Sequence, residues 1–366
     1  MKKVLIVDIG ERNGGIEKYI YNLYEHINKT EFIIDFLVYV EHCAYEEVFI
    51  KNSNIFHVTS RRKNPFKHYQ QLKCFFENND YDVVWIQTCS ASNILPHKLA
   101  KKYSKARLIS HAHVVKAESK GKIYDFITNV LHKYHQKELR KITDVALACS
   151  YEAGSYLFGE EYAENVQVVY NGIEIQAYVT NDEMKNRNRR QVGFDVNDVI
   201  LGHVGRFSLV KNHKFLLDVF EKYYEKQPNA RMLLVGDGEE KQNIEKEVLK
   251  RNLTKVVTFM GERDDIPQML SMMDVFLFPS INEGFGIVAI EAQAAGIPII
   301  VNTGLSCLLN VSNYFYQLSV TENVNVWVNK IEEILMKKNR KCDKRIGEFD
   351  INTTSKKIEK ILRGEI

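Results

Sequence analysis

The sequence predicts an α/β protein with two doubly wound domains, each a mostly parallel sheet covered by helices. Short apolar runs alternate with helical patterns along nearly all of the 366 residues, as parallel sheets require. Many of these runs end in glycine, which suits a sheet edge that approaches a ligand. A polar stretch at 175–198 separates two series of alternation. We therefore expect domains at 1–174 and 199–350, a connection at 175–198 and a final helix at 351–366.

Composition narrows the class of protein. Apolar residues make up 45% of the chain and aromatic residues 11%, which is ample for globular cores. The net charge of +3 is too small to indicate nucleic-acid binding. The six cysteines form no C-x-x-C pair, so neither a zinc site nor a disulfide framework is predicted, and free thiols favour the reducing cytoplasm. No apolar run reaches about 18 residues, so no transmembrane helix is expected.

The first half of the chain alternates between apolar strands and amphipathic helices. The predicted strands are 4–9, 32–40, 82–87, 106–110, 146–150 and 166–170. Asp8 interrupts the first apolar run, so this run is a strand and not an export signal. Apolar residues spaced by three and four predict a helix beginning at Ile16, and further helices are expected at 66–77 and 95–104.

Three groups of residues in this half stand at predicted strand ends. Gly14 and Gly15 precede the first helix, where they suit an anion or a close substrate approach. His111 and His113 follow a strand, so both are expected at the carboxyl edge of the sheet, where two histidines in three positions favour function. Asn171 comes directly after the last strand of this half.

Charge is uneven in this half. Residues 60–141 contain 17 Lys and Arg but 6 Asp and Glu, a surplus of 11 positive charges. This surplus favours contact with an anionic membrane surface or a phosphate-bearing acceptor. Solvated helix faces are an equally good interpretation.

The second half repeats the alternation. The predicted strands are 199–204, 231–235, 256–260, 275–278 and 299–301. The predicted helices are 213–226, 241–251, 266–272, 287–295, 324–336 and 353–362. Each of the first four of these strands is followed by a glycine that would let the backbone approach a ligand at one edge of the sheet: Gly205, Gly236, Gly261 and Gly284.

The stretch at 275–301 carries the strongest functional signal. A glycine-bearing loop that includes Phe285 and Gly286 precedes a helix whose first residues are Ile287 and Val288. The free N–H groups of this helix N-terminus favour an anion. The carboxylates Glu283 and Glu291 flank the same place. A pyrophosphate with a sugar at each end fits this pattern, since each carboxylate could accept hydrogen bonds from sugar hydroxyls.

Two cations are expected at the same edge. Arg206 and Lys211 follow the strand at 199–204, and together they could neutralise a departing diphosphate without a metal ion. No other cofactor is indicated.

These residues resemble the motifs of the retaining glycosyltransferase family four, which has the GT-B fold. The resemblance rests on E-G-F-G-I-V-A-I-E at 283–291 and A-Q-A-A-G-I-P at 292–298, with Gly205-Arg206 and Lys211. G-D-G-E at 236–239, N-G-I at 171–173 and G-G-I-E at 14–17 add to it. It implies two facing Rossmann-like domains with a central cleft, an acceptor-binding domain first and a donor-binding domain second. The last helix would cross back onto the first domain.

The resemblance also implies roles for individual residues. Glu291 would bind the ribose and Glu283 the transferred sugar, while Arg206 and Lys211 would stabilise the leaving diphosphate. The sugar and diphosphate would be contacted by the backbone N–H groups of Phe285, Gly286, Ile287 and Val288. The loop from Gly261 to Arg263 would seat the base, and Gly15 would lie near the donor phosphates.

Two points of the motif match stay open. The active-site histidine of the family matches His113 better than His111, but spacing does not decide between them. Asn212-His213 stands where the family often has glycine after the lysine.

The expected activity is transfer of a hexosyl unit, with retention, from a nucleotide-sugar such as a UDP-sugar to a glycan or lipid-linked acceptor. S-H-A-H at 110–113 is similar to the branch that builds bacterial capsules or exopolysaccharides. We expect a cytoplasmic protein that can contact the membrane face through 60–141. Three alternatives remain: a metal-dependent transferase using D-x-D at 80–82, a nucleotide-sugar 2-epimerase, and a non-catalytic sugar-nucleotide-binding subunit.

Overall fold

The computed structural model describes residues 1–12, 14–115, 121–283, 285–305, 309–337 and 344–366. The chain divides into two compact units. The first contains Met1–Ile173 together with Asp350–Ile366, and the second contains Glu174–Phe349.

The first unit is a seven-stranded sheet with helices on both faces. Its strands are β1 (Lys2–Val7), β2 (Phe32–Val38), β3 (Ile55–His57), β4 (Val83–Thr88), β5 (Arg107–Ala112), β6 (Val145–Ala148) and β7 (Gln167–Val168). Its helices are α1 (Gly15–His26), α2 (Glu46–Phe49), α3 (Pro65–Asn78), α4 (Leu95–Tyr103), α5 (Lys122–Ile142) and α6 (Tyr151–Phe158). The strand order is β3-β2-β1-β4-β5-β6-β7, and all named pairs are parallel.

The second unit repeats this plan with six strands. It begins with α7 (Asp182–Val192) and contains β8 (Val199–Val204), β9 (Ala230–Val235), β10 (Val257–Phe259), β11 (Val275–Phe278), β12 (Ile299–Asn302) and β13 (Phe315–Leu318). Its other helices are α8 (His213–Tyr224), α9 (Lys241–Lys250), α10 (Ile266–Ser271), α11 (Ile287–Ala294) and α12 (Val324–Met336). The parallel strands run in the order β10-β9-β8-β11-β12-β13.

Both sheets reverse their strand order at one point. In the first unit this switch lies between β1 and β4, and in the second between β8 and β11. In a doubly wound sheet the connecting helices leave in opposite directions at such a point, so a crevice opens beyond the carboxyl ends of the two strands. The prediction of two doubly wound α/β domains is confirmed.

The stretch at 175–198 is structured and is not a bare connection. It forms α7, which packs against α10 within the second unit. Arg189 is buried and donates to the Met272 carbonyl and to Asp274, and Lys185 donates to the same carboxylate. Part of its polar composition therefore belongs to buried ion pairs, whereas sequence reasoning interpreted the stretch as an interdomain connection.

The last helix, α13 (Ile351–Arg363), belongs to the first unit. Its apolar residues Ile358, Ile361 and Leu362 enter the core cluster that includes Ile20 of α1. Backbone bonds fix its start, since the Ile351 N–H donates to the Ile173 carbonyl at 2.9 Å.

Six elements were not predicted: β3, β13, α2, α5, α6 and α7. The two strands are short and lie at or near sheet edges, so their apolar runs are brief. Among the described residues, no helix combines the length and the apolar character needed to cross a membrane.

Candidate active site

The switch point of the second sheet brings two loops together. One follows β8 and contains Arg206 and Lys211, and the other follows β11 and contains Glu283. Their backbones are joined directly, because the Ile281 N–H donates to the Val210 carbonyl at 2.9 Å. Residues 72 positions apart in sequence are thereby neighbours at the carboxyl edge.

Lys211 and Glu283 form an ion pair at this edge. The distance from Lys211 Nζ to Glu283 Oε1 is 2.6 Å, and the two side chains are 18% and 13% exposed. Lys211 Nζ also lies 5.2 Å from the centroid of the Phe278 ring. An ammonium group held among an aromatic face and a carboxylate is less screened by water than a surface lysine. The pair is therefore a preformed charge site.

The N-terminus of α11 opens beside this pair. Gly286 precedes the helix with φ of 74°, a left-handed conformation that favours glycine, and no side chain caps the helix there. The first N–H groups of a helix have no acceptor inside it, so those of Ile287 and Val288 carry the positive end of the helix dipole. Phe285 is buried and its ring centroid lies 5.8 Å from that of Phe349. Gly284 lies outside the described residues.

Glu291 is held one turn further along α11. Its carboxylate is buried, and its Oε1 accepts a hydrogen bond from the Tyr178 hydroxyl at 2.7 Å. Burial and the negative charge of Glu291 raise the pKa of Tyr178, so the phenol stays protonated and donating. Sequence reasoning missed Tyr178, because nothing in a segment interpreted as a connection pointed to it.

The loops after β8, β9 and β10 are tied to one another by backbone bonds. The Phe207 N–H donates to the Asp237 carbonyl at 2.8 Å, and the Gly236 N–H donates to the Gly261 carbonyl at 2.7 Å. A Cβ on Gly236 would lie 2.2 Å from the Gly205 carbonyl oxygen. Glycine is thus required at 236 because the Gly205 backbone leaves no room for a Cβ. A Cβ on Gly261 would meet nothing within 4 Å, so nothing in the chain requires glycine there except its φ of 68°.

Two buried histidines lie beneath the cation loop. His203 Nδ1 is hydrogen-bonded to the Leu277 carbonyl at 2.8 Å, and the His213 ring stacks on Phe207 with centroids 4.1 Å apart. Burial lowers the pKa of His203 well below its ordinary value and that of His213 to about 3, so both are neutral. A Cβ on Gly205 would lie 2.9 Å from His203 Nε2. These histidines were not predicted as part of the site.

The departure from the family pattern at 212 has a conformational explanation. Asn212 adopts φ of 56° and ψ of 44° at the start of α8. Asparagine tolerates this left-handed conformation better than other residues with a side chain, so it can stand where glycine is common.

The two arginines lie at the exposed rim of the second unit. Arg206 is exposed. Arg263 binds Asp265 through two hydrogen bonds of 2.7 and 2.6 Å. Arg263 is thus engaged with its own loop.

In the first unit, the two glycines before α1, Gly14 and Gly15, differ in how much space surrounds them. Glu17 folds back from the first turn, and its Oε1 accepts a bond from the Gly10 N–H at 3.0 Å. A Cβ on Gly14 would lie 2.5 Å from Glu17 Oε2. A Cβ on Gly15 would meet nothing within 4 Å. Gly14 therefore makes room for Glu17, and only Gly15 is open to an incoming group.

The two predicted histidines of the first unit form a buried cluster. His111 lies within β5 and not after it, and His113 follows the strand. Their ring centroids are 4.1 Å apart, and Tyr19 lies 5.8 and 6.0 Å from them. His113 Nε2 bonds Gln87 Oε1 at 2.6 Å, which requires that Nε2 carry the proton. Burial lowers the pKa of His113 to about 3, so the ring is neutral and its Nδ1 is an acceptor.

Several polar atoms of this cluster lack partners within the described part of the chain. They are the Tyr19 hydroxyl, both ring nitrogens of His111, His113 Nδ1 and, at the last strand, Asn171 Oδ1. Buried polar atoms are nearly always satisfied, so this set marks a place for water or a polar ligand. No group of three or more His, Cys, Asp or Glu among the residues described could hold a metal ion.

Residues 184–350 match the family model described as Glycosyl transferases group 1. The chain is 29% identical over 338 residues to EpsF of Bacillus subtilis (strain 168), named as a glycosyltransferase, with 90% of this chain and 87% of that protein covered. It is 27% identical over 208 residues to the Escherichia coli UDP-Gal:alpha-D-GlcNAc-diphosphoundecaprenol alpha-1,3-galactosyltransferase, covering 54% of this chain and 52% of that one.

Solved structures with the same fold include HepE from Anabaena in complex with UDP and glucose. It has a TM-score of 0.77 at 20% identity, covering 99% of this chain and 100% of that chain. WaaG, a glycosyltransferase involved in lipopolysaccharide biosynthesis, has a TM-score of 0.74 at 14% identity, covering 99% and 100%. At these identities the likeness establishes a shared fold of two Rossmann-like sheets, GT-B. The family match covers residues 184–350, nearly all of which lie in the second unit.

Proposed function

We propose that the protein transfers a hexosyl unit from a UDP-sugar to a glycan or lipid-linked acceptor in polysaccharide synthesis, with retention and without a metal ion. One observation carries the proposal. The Lys211–Glu283 pair stands beside the N-terminus of α11 at the switch point, with the Glu291 carboxylate one turn further on. A nucleotide-sugar consists of a sugar, a diphosphate and a nucleoside. Glu283 would meet the sugar, Lys211 and the N–H groups of α11 the diphosphate, and Glu291 the ribose.

The donor would engage the second unit in three parts. The diphosphate would accept hydrogen bonds from the first N–H groups of α11 and from Lys211. Glu283 would then exchange its ammonium partner for hydroxyls of the transferred sugar. Glu291, oriented by Tyr178, would accept hydrogen bonds from the ribose hydroxyls. The loop from Gly261 to Arg263 would seat the base.

The chemistry would depend on charge stabilisation and positioning. The bond between the anomeric carbon and the diphosphate oxygen breaks, and its electron pair stays on the diphosphate. Lys211 and Arg206 would stabilise that charge, the main contribution a protein makes to such a step. The acceptor hydroxyl attacks the anomeric carbon from the face the diphosphate leaves, and its proton passes to a leaving phosphate oxygen. Retention follows from attack on that face.

The first unit would bind the acceptor at its own switch point. Gly15 is open to an approaching group, and neutral His113 presents Nδ1 as an acceptor for a sugar hydroxyl. His111 and Asn171 are buried beside or near the same edge and would complete the polar surroundings. The basic stretch at 60–141 is proposed to face the anionic membrane surface where lipid-linked acceptors reside.

The proposed nucleotide and pathway draw on what similar proteins are named for. The galactosyltransferase of Escherichia coli is named for a UDP-sugar and a lipid-linked acceptor, and HepE was solved with UDP and glucose.

The test is a screen of nucleotide-sugars for binding and slow hydrolysis, followed by proton NMR of the anomeric centre of the product. We expect a UDP-sugar to bind, Glu291→Ala to weaken that binding, and Arg206→Ala to lower turnover by about 10²–10³-fold. Lys246→Ala, an exposed lysine of α9, is the matched control and should leave both unchanged.

Three results would contradict parts of the proposal. Inverted product excludes retention, and loss of activity in excess EDTA excludes the metal-free step. Conversion of the donor alone into its 2-epimer would show an epimerase.

A further inference from the structure

Helix α5 turns its apolar side chains towards solvent. Ile123, Phe126, Ile127, Val130 and Tyr134 are 78, 70, 51, 52 and 75% exposed. Their spacings of three, one, three and four place them on one stripe of the helix. In a helix of a globular domain this stripe normally faces the core. An exposed stripe of large apolar residues marks an interaction surface.

The inward face of α5 contains the buried Leu139 and polar side chains that are hydrogen-bonded to the rest of the unit. The Ala91 N–H donates to His132 Nδ1 at 3.0 Å, so Nε2 carries the proton and donates to the Tyr156 carbonyl at 2.8 Å. Gln136 Nε2 donates to the same carbonyl at 2.8 Å. Hydrogen bonds from buried or half-buried side chains therefore fix the rotation of the helix. The apolar stripe is held outwards by the fold.

Positive charge adjoins the stripe. Lys133, Lys137 and Lys141 are exposed and continue the same side of α5 towards its C-terminus. Helix α4 packs between α3 and α5, and α3 adds the exposed Phe66 next to Lys67. Residues 60–141, which include all three helices except the last residue of α5, carry 17 basic and 6 acidic side chains. Exposed lysines thus adjoin the apolar stripe towards the C-terminus of α5, within a segment of net positive charge.

We propose that α5 is an interfacial helix that lies in the surface of an anionic lipid bilayer, with its apolar stripe among the acyl chains and its lysines at the headgroups. An apolar stripe flanked by lysine is the pattern that binds such a surface, since apolar burial and attraction to anionic lipid act together. A second copy of the chain is a poorer partner for this stripe, because pairing two such faces would bring lysines of like charge together. The inference deepens the proposed membrane contact of 60–141 by naming the helix and the lipid.

The experiment is sedimentation of the full chain with vesicles. Binding should be strong to phosphatidylcholine mixed with phosphatidylglycerol, weak to phosphatidylcholine alone, and reduced by high salt. The triple variant Phe126→Ser, Val130→Ser and Tyr134→Ser should lose binding. Substitution of Lys133 and Lys137 by Gln should weaken it about fivefold for each lysine.

The controls separate this surface from folding and from catalysis. Leu249→Ser removes an exposed leucine of α9, 67% exposed, and should bind vesicles like the wild type. All variants should keep the wild-type melting temperature and the wild-type rate of nucleotide-sugar hydrolysis without lipid. Loss of hydrolysis alone would count against the proposed function and leave this inference standing.

Three outcomes would overturn the inference. The wild type does not sediment with anionic vesicles, or the triple variant sediments as the wild type does. Alternatively, light scattering shows a dimer that the triple variant abolishes, which would assign the stripe to self-association.

Discussion

Tyr178→Phe removes one hydroxyl from the second unit and keeps the ring. Tyr178 and Glu291 are each 6% exposed, and the hydroxyl donates to the carboxylate at 2.7 Å. A hydrogen bond to a charged group contributes about 1.5–3 kcal/mol, and its loss leaves a buried carboxylate with one donor fewer. Because phenylalanine fills the same space, the free energy of unfolding should fall by about this amount.

The loss should be visible in two measurements. For a unit of this size the melting temperature should fall by roughly 3–12 °C, since about 1 kcal/mol shifts it by about 2–4 °C. If the full loss of about 1.5–3 kcal/mol is also lost from the binding free energy of UDP, the Kd for UDP should rise by roughly 10–150-fold, because about 1.4 kcal/mol corresponds to a tenfold change in Kd. Scanning calorimetry and isothermal titration with UDP measure the two effects.

The matched control is Tyr223→Phe, which removes a hydroxyl from the core of the same unit. It should lower the melting temperature less and leave UDP affinity unchanged. If Tyr178→Phe melted and bound UDP like the wild type, the hydroxyl would not be what orients Glu291.

Three other substitutions test the framework around the site. Asp274→Asn should lower the free energy of unfolding by about 3–5 kcal/mol in guanidinium titration, since Arg189 stays buried without its carboxylate. Burial opposes ionisation of Asp274, but Lys185 and Arg189 hold its pKa below the ordinary value of 3.8. The stability that these ion pairs give the wild type is therefore present above pH 3.8 and is lost as the pH falls through the lowered pKa. His213 stays neutral when folded, with a pKa of about 3, so the unfolded chain binds an extra proton there below about pH 6.5, and this residue should lower stability by up to about 1.4 kcal/mol per pH unit as the pH falls. His213→Gln should reduce the measured slope by this contribution, while His203 and the other buried histidines keep theirs. Gly236→Ala should cost about 1–3 kcal/mol in a thermal melt, because φ is 134° and the new Cβ would meet a backbone oxygen.

Sequence pattern predicted the framework of the second unit well because its signals are local. The bounds of β8, β11 and α12 agree with their predicted ranges residue for residue. β11 is a continuous apolar run closed by Pro279, β8 is a mostly apolar run closed by Gly205, and the helix is a clear amphipathic repeat. The carboxyl-edge rule also placed Lys211 and Glu283 in one region, and the structure brings them into contact.

The features that pattern missed depend on contacts distant in sequence. The Tyr178–Glu291 bond joins residues 113 positions apart, and the α7 ion pairs are satisfied by the loop before β11. A polar residue whose buried partner is distant in sequence cannot be told from a linker residue by sequence pattern alone. Helix α5 was missed although its apolar residues at 123–134 recur at helical spacing; its exposed stripe became visible only in the structure.

The contribution of α13 to the first unit bears on folding during synthesis. The second unit is one continuous segment, so it can fold as soon as Phe349 has left the ribosome. The first unit must wait for Ile358, Ile361 and Leu362 to complete its core, long after β7 has been made. At about 5–20 residues per second, the 177 residues between Ile173 and Ile351 take roughly 10–40 s to synthesise. During that interval the apolar surface of α1 is a target for chaperones, and a nascent chain arrested before α13 should be captured by them more than the released protein.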